Sequence, residues 1–285
     1  MSLKAERIVY PSQKKYFMNN NSGTDMVRLF SKTFFVCSLF AFVLFSGCSK
    51  REKITTLQQL DGKEFAVPTG TVADKLVLSK FPNAKFKYFN TVLDACLAVK
   101  SGKADAAAYD EPILKNIAGK NPGLKVINEM ITTDNYGFAV QLGNNELKDA
   151  IDSVVLNLKS TGEYSVMLDR WLPKEGSPQP MPSMADSGTN GILRLGTAAV
   201  TEPFSFVDGS QKITGLDIEI AYRVAQKLNK KLEIVNMDFG AMIPALMAKK
   251  VDMIGACITI TEERSKSVLF SAPYYIGGIA ALVKE

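Results

Sequence analysis

The stretch TITEERSKSVLFSAPYY, residues 259–275, decides how this chain reads. It continues the short apolar strand VDMIGACIT (251–259) and opens an acidic turn that favours a helix start. Arg264 stands in that turn, and a Phe-Ser-Ala-Pro-Tyr-Tyr run closes it. Strand and helix patterns alternate upstream. GILRLGTAA (191–199) reads as a strand, FSFVD (204–208) with GSQKITG (209–215) as a hairpin, and KLEIVNM (231–237) as a strand. LDIEIAYRVAQKLN (216–229) is an amphipathic helix with Ile218, Ala221, Val224, Ala225 and Leu228 on its inner face. GAMIPALMAKK (240–250) is a second helix, and IAALVKE (279–285) is a strand.

The first half alternates in the same way. EFAVPTG (64–70) is a strand running into a glycine turn, and TVADKLVLSKF (71–81) is a helix with Val72, Leu76 and Phe81 facing inward. AKFKYFN (84–90) is a strand. TVLDACLAVKSGK (91–103) is a helix with Val92, Leu93, Cys96, Leu97 and Val99 on or near one face. ADAAAYD (104–110) is a buried small-residue strand, and EPILKNIAG (111–119) opens a helix with Pro112 in its first turn. After the strand YGFAVQ (136–141) come two helices, NELKDAIDSVVLNLKSTG (145–162) and YSVMLDRWL (164–172). This βαβ alternation predicts an α/β fold of two lobes, each a mostly parallel sheet covered by helices, with a ligand cleft at the strand ends. The Pro-, Ser- and Gly-rich segment 175–190 reads as a linker, and its flanks do not repeat each other.

Composition narrows the function. Residues 1–50 hold seven Lys or Arg and two acids, which accounts for the whole +5 charge of the 285-residue chain. The remainder is balanced, which argues against nucleic-acid binding. The chain has no histidine, so the commonest general base and metal ligand is missing. The four cysteines, Cys37, Cys48, Cys96 and Cys257, fit no zinc spacing, and Cys96 and Cys257 read as buried small hydrophobes. No metal and no cofactor is expected. From Met26 the chain shows Arg28 and Lys32, an apolar run from Phe34 to Phe45, then Ser46, Gly47 and Cys48. That is the order of a secretory signal, too short for a comfortable membrane span; the alternative is an N-terminal membrane anchor.

GLDIEIAYRVAQKL (215–228), MDFGAMIPALMAKKVDMIGACITITEERSKSVLFSAPYY (237–275) and RLGTAAVTEPFSFVD (194–208) closely resemble the first lobe of polar amino-acid-binding proteins. These are the family 3 solute-binding proteins of ATP-driven importers. LDGKEFAVPTGTVAD (60–74), ACLAVKSGKADAAAYDEP (95–112) and YGFAVQLGNNELKDAIDSVVLNLKSTGEYSVMLDRW (136–171) resemble the second lobe and closing helices of the same family, with the glutamine-binding member nearest. FSGC resembles a bacterial lipoprotein signal, in which Cys48 is lipidated. The resemblance implies a two-lobed periplasmic binding protein type II fold in permuted order. Its parts would be a leader and signal peptide at 1–47, a lipid tether at 48–56, lobe 2 at 57–135 and a hinge crossover at 136–142. Closing helices at 143–174 would pack on lobe 1, followed by the linker 175–190 and lobe 1 at 191–285. The family runs lobe one first, so the order here implies either a circular permutation or a truncated tandem. With the new ends at one crossover, 136–141 would be the one continuous connection. Residues 53–57 and 280–285 would then rebuild the other as a loosened hinge.

The resemblance also implies the site. Arg264 would grip the ligand carboxylate, helped by the hydroxyl and N–H of Thr259, with Cys257 beside them. The turn Thr69-Gly70-Thr71-Val72 would face the same anion, and Asp110 would take the ammonium. Asp110 also suits a helix N-cap before Pro112. Phe239 would wall the ligand. The glutamine-binding pattern is not matched at Ala198, Thr201, Pro68 and Tyr109. The head group is therefore expected to be recognised, and the ligand's side chain differs from that pattern. The implied partners are a free amino acid and an importer permease in the membrane, with the protein a monomer held outside the cytoplasm. Two other readings are a sensory module reporting amino acids and a dehydratase-like enzyme, for which Asp110, Glu202 and Tyr109 are the nearby acids and bases.

Overall fold

The computed structural model describes residues 53–173, 178–185 and 187–285, and residues 53–285 form one compact unit. The expected signal segment, Cys48 and residues 48–52 of the tether lie outside the described residues. A short 3₁₀ turn, Leu57–Leu60, buries both its leucines under the first lobe-2 strand.

Lobe 2 is built from β1 (Glu64–Pro68), α1 (Ala73–Lys80), β2 (Lys85–Phe89), α2 (Val92–Lys100), β3 (Ala106–Asp110), α3 (Glu111–Lys120) and β4 (Leu124–Val126). β1 pairs in parallel with β2 on one side and β3 on the other. β3 is buried along its whole length, as its Ala-Ala-Ala-Tyr-Asp sequence requires of a strand covered on both faces. Two helices differ from their sequence reading. α1 starts at Ala73, so its buried face carries Ala73 and Val77; Val72 is the N-cap and only half-buried, while Phe81 is buried as expected. In α2, Val92, Ala95, Cys96 and Val99 are buried, whereas Leu93 and Leu97 stay 44% and 40% exposed. The small Ala95 lets α2 lie close to the sheet, which turns the two leucines outward.

β5 (Asp134–Tyr136) and β6 (Ala139–Gln141) carry the chain out of lobe 2. Two helices follow, α4 (Asn145–Thr161) and α5 (Glu163–Trp171). Asn144 caps α4 by accepting from the Leu147 N–H at 3.2 Å, and Gly162 ends it at φ 81°, a left-handed value suited to glycine.

Lobe 1 contains β7 (Ile192–Thr197), an antiparallel ribbon of β8 (Val200–Thr201), β9 (Ser205–Val207) and β10 (Ile213–Thr214), then α6 (Leu216–Lys227) and β11 (Lys231–Asn236). It continues through α7 (Met242–Met247), β12 (Met253–Ile254), α8 (Glu262–Ser265) and β13 (Val268–Phe270). β14 (Tyr275–Gly277) and β15 (Ile279–Lys284) end the chain. α4 and α5 pack on α6. Glu219 of α6 is fully buried there, held by Arg170 Nη1 at 2.9 and 2.8 Å and by Trp171 Nε1 at 2.7 Å. A buried carboxylate satisfied by three charge-assisted bonds fixes the docking of the closing helices.

The sheets exchange strands. Lobe 1's sheet has the order β11-β7-β12-β6-β13, with β6 from the first half of the chain antiparallel between β12 and β13. Lobe 2's sheet has the order β2-β1-β3-β15-β4, with β15 from the second half antiparallel between β3 and β4. The expectation that lobe 1 runs through residue 285 is therefore corrected: residues 279–284 belong to the lobe-2 sheet. β5 and β14 pair antiparallel, Tyr136 opposite Tyr275. Both connections between the lobes are thus continuous runs of chain, and the expected loosened hinge rebuilt from residues 53–57 and 280–285 is not what the chain forms. Ile279 to Val283 are all buried, because a strand inside a covered sheet must be apolar on both faces.

Candidate functional site

The site lies where the two sheets point their strand ends at each other. Arg264 is on the short helix α8, capped by Thr261, whose Oγ1 accepts from the Arg264 N–H at 3.2 Å. The side chain turns inward and is 9% exposed. Its Nη1 donates to the Thr259 carbonyl at 2.9 Å, and its guanidinium lies 5.6 Å from the centre of the Phe239 ring. Among the described residues it makes no ion pair. Burial lowers its pKa, and the nearby Tyr109, Asp110 and Cys257 oppose that shift.

Asp110 faces it from lobe 2. It occupies the N-cap position of α3, but its side chain makes no cap bond, so the helix-cap role weighed from sequence is not what the carboxylate does. It is 3% exposed; Tyr136 Oη donates to its Oδ1, and the Cys257 thiol lies 3.8 Å from its Oδ2. Burial pushes its pKa up to about 7, against the lowering pull of the Tyr136 hydrogen bond.

Cys257 sits between the charges at φ 48°, a left-handed conformation uncommon for a residue with a side chain. Its N–H donates to Asp217 Oδ2 at 2.7 Å, which holds that conformation. Asp217 is wholly buried at the start of α6, and burial pushes its pKa up to about 7. The Tyr274 hydroxyl faces this carboxyl and pulls the pKa down, though no hydrogen bond of ordinary geometry joins them. The Cys257 and Tyr109 side chains have pKa values raised well above their ordinary ranges by burial. As expected, Cys96 is buried, and its thiol is pushed up to about 12.

Thr71, Val72, Tyr109, Asp110, Phe239, Cys257, Thr259 and Arg264 all line one small cavity of about 10 Å³, with Ala73 and Ile279. The sequence reading thus names eight of its ten lining residues. A second cavity of about 540 Å³ is also lined by Thr71, Tyr109 and Phe239. Thr201 lines this larger cavity, but its hydroxyl donates within its own turn, to the carbonyls of Ala198 at 3.1 Å and Ser205 at 3.2 Å. Pro68, Thr69, Asn90, Thr91, Asn236 and Asp238 also line it, and of these the sequence singles out Pro68 and Thr69. Two of the expected residues lie elsewhere. Ala198 is buried in the lobe-1 core with Met242 and Leu246, and Ala199 beside it lines the groove instead. Gly70 lines neither cavity; it touches Gly240 across the cleft, where a Cβ on Gly70 would come 2.7 Å from Gly240 Cα. Glu202, weighed as a catalytic acid, pairs with Lys120 at 2.6 Å and lines neither cavity. In the sequence Tyr136 is only part of a hinge strand, and its role beside Asp110 has no local signal. Among the described residues no cluster of His, Cys, Asp and Glu suits a metal.

Residues 193–285 match the model of the bacterial extracellular solute-binding proteins, family 3. This segment carries Arg264, Thr259, Cys257 and Phe239. The chain is 35% identical over 109 residues to the L-cystine-binding protein TcyJ of Escherichia coli K12, which covers 36% of this chain and 41% of that protein. It is 39% identical over 93 residues to the arginine-binding extracellular protein ArtP of Bacillus subtilis, covering 33% and 36%. Domain 1 of an arginine-binding protein from T. maritima, solved with arginine bound, is 41% identical over 33% of this chain and 80% of that one, with a TM-score of 0.30. The chain spans about two fifths of the length of the curated relatives it matches. The two-lobed α/β architecture is the one expected from the sequence. Among the described residues no helix is long and apolar enough to cross a membrane.

Proposed function

We propose that this chain captures a free amino acid between its lobes and delivers it to the permease of an ATP-driven importer, without chemical change to the ligand. One observation carries the reading: a buried arginine from lobe 1 and a buried aspartate from lobe 2 line one cavity and form no ion pair with each other. Two opposite charges held apart in a dry site are costly unless a ligand completes them. An α-amino acid does so, its carboxylate on the Arg264 guanidinium and its ammonium on Asp110. Arginine suits the carboxylate because its planar fork donates two parallel bonds. Thr259, Thr71 and Val72 complete the carboxylate end, and the Phe239 ring covers the ligand's stem. The room for a side chain is the 540 Å³ groove beside them.

The same reading places the protein outside the cytoplasm, tethered through a lipidated Cys48 and working as a monomer. It takes the order of elements as a circular permutation of the family's order. The uninterrupted run of both hinge strands supports this, since each lobe's sheet is completed by a strand from the other half of the chain. Thermal-shift screening against the free amino acids tests the function. A ligand at 100 times its dissociation constant adds about 2.7 kcal/mol of stability. No stabilisation by any amino acid would overturn the reading.

A further inference from the structure

Tyr136 stands at the junction of the hinge and the site. It lies on β5, the strand that leaves lobe 2, and pairs with Tyr275 of the other connecting strand. It is fully buried, its ring packed edge-on against Phe204 and tilted against Tyr275. Its backbone also bridges Thr259, whose carbonyl receives Arg264. From this position its hydroxyl donates to Asp110 Oδ1. The partner strand leaves room for the hydroxyl: a Cβ on Gly277 would come 2.6 Å from Tyr136 Oη. A tyrosine whose backbone belongs to the hinge and the carboxylate end, and whose hydroxyl belongs to the ammonium end, touches every part of the site that must change together.

We propose that Tyr136 is the positioning residue of the ammonium site, holding the Asp110 carboxylate oriented and ionised for the ligand and tying occupancy of that site to the hinge strands. This rests on the proposed amino-acid reading, in which Asp110 takes the ammonium. The groups facing Asp110 are Tyr136 and Asp134 from β5, Tyr275 from β14, the Cys257 thiol, Arg264 from α8 and Tyr109 beside it on β3. Burial and Asp134 favour the neutral acid; Tyr136, Arg264 and Cys257 favour the carboxylate. Of these three, the Tyr136 hydrogen bond does most to keep the carboxylate ionised. An ammonium needs the carboxylate, so acid weakens binding, and loss of the Tyr136 hydroxyl makes that weakening begin at a higher pH.

The test is calorimetric affinity for the amino acid found by screening, measured from pH 5 to pH 9 in the parent, Tyr136→Phe, Gly277→Ala and Asp110→Asn. Phenylalanine keeps the ring packing, and alanine at Gly277 displaces the hydroxyl while leaving the tyrosine in place. The expected result for Tyr136→Phe is about tenfold weaker binding or more at neutral pH, the effect of a hydrogen bond to a charged group. The pH at which affinity starts to fall moves upward, and Gly277→Ala changes the profile in the same direction. Asp110→Asn binds weakly and shows no acid limb. If Asp110→Asn is weak but Tyr136→Phe keeps the parent's affinity and profile, the inference about Tyr136 fails and the site stands. If Asp110→Asn binds like the parent, the ammonium site itself is wrong. If no amino acid binds the parent, the functional reading fails.

Discussion

Replacing Arg264 by alanine is expected to separate binding from stability. On the proposed reading, the guanidinium pairs with the ligand carboxylate in a site where both are out of water. Removing one member of such a pair typically costs about 2–5 kcal/mol, or about 30-fold to several thousand-fold in affinity. Without ligand, Arg264 has a different balance. Its donor on the Thr259 carbonyl is worth about 1 kcal/mol, and its contact with Phe239 adds a similar cation–π contribution. Against these stands the burial of a guanidinium that has no ion-pair partner among the described residues. Its pKa is lowered, so burial outweighs the opposing pull of the titratable groups around it. Arg264→Ala should therefore leave the ligand-free melting temperature unchanged or slightly higher, and remove the ligand-induced rise. Differential scanning calorimetry with and without ligand reads both. Near-parent affinity would refute the carboxylate site, and a large loss of ligand-free stability would show that Arg264 is a structural residue.

Gly70→Ala is expected to weaken binding by obstructing closure, since its Cβ would meet Gly240 Cα at 2.7 Å and its φ is +79°; Gly240→Ala, whose Cβ would meet Gly70 at an ordinary 3.6 Å, is the control that should bind normally. Small-angle scattering with saturating ligand would show Gly70→Ala more open than the control, and equal profiles would exclude the contact as a closure stop. Lys75 and Glu263 pair across the cleft, but their side chains are 60% and 70% exposed, so Glu263→Gln should leave affinity essentially unchanged at physiological salt. Asp110 and Asp217 are both pushed up to about 7 by burial, so the folded protein holds these protons more tightly than the unfolded chain. Stability of the ligand-free protein should then fall as pH rises from the ordinary carboxylate range toward about 7. Asp217→Asn should flatten that slope in urea titrations, and a stability that rises over the same window would contradict the buried-acid account.

The repeating elements were legible because their patterns are local. The Ala-rich β3 and the stripe Ile218, Ala221, Val224, Ala225 are both buried where the sequence places them, and all four stripe residues lie on the inner face of α6. Much of the cavity lining was legible through the resemblance to the family 3 proteins, whose quoted motifs span these strand ends and helix starts. Phase within short helices was less so. Eight residues of α1 give only two turns, and a start two residues later than expected exchanges Val72 and Leu76 for Ala73 and Val77. The groove lining at Asn90, Thr91, Asn236 and Asp238 was missed because it depends on how two lobes face each other, and no sequence window spans both. Tyr136 and Asp217 were missed as site residues for a related reason: their partners lie 26 and 40 positions away.

The placement of β15 changes what the hinge can do. IAALVKE reads as a strand, and a strand's sheet is chosen by pairing that no single stretch encodes. Buried from Ile279 to Val283, it closes the gap between β3 and β4, while β6 fills the corresponding gap between β12 and β13. Each half of the chain therefore donates a central strand to the other's sheet. The connecting strands β5 and β14 each lead into one such inserted strand, and they pair with each other. Two paired strands restrict the lobes to bending about the short segments at 137–138 and 278, where the ladders break. Gly137 and Gly278 both lie there, and each is already crowded: an added Cβ would meet Ile260 at 2.9 Å or the Thr132 carbonyl at 2.0 Å. Hinge motion is absorbed by a few such residues at element ends. With Tyr136 next to one of these points and Ile279 next to the other, the residues that lead into the bend are also residues that line the site or hold it. Ligand contact and lobe angle are in this way set by the same short pieces of backbone.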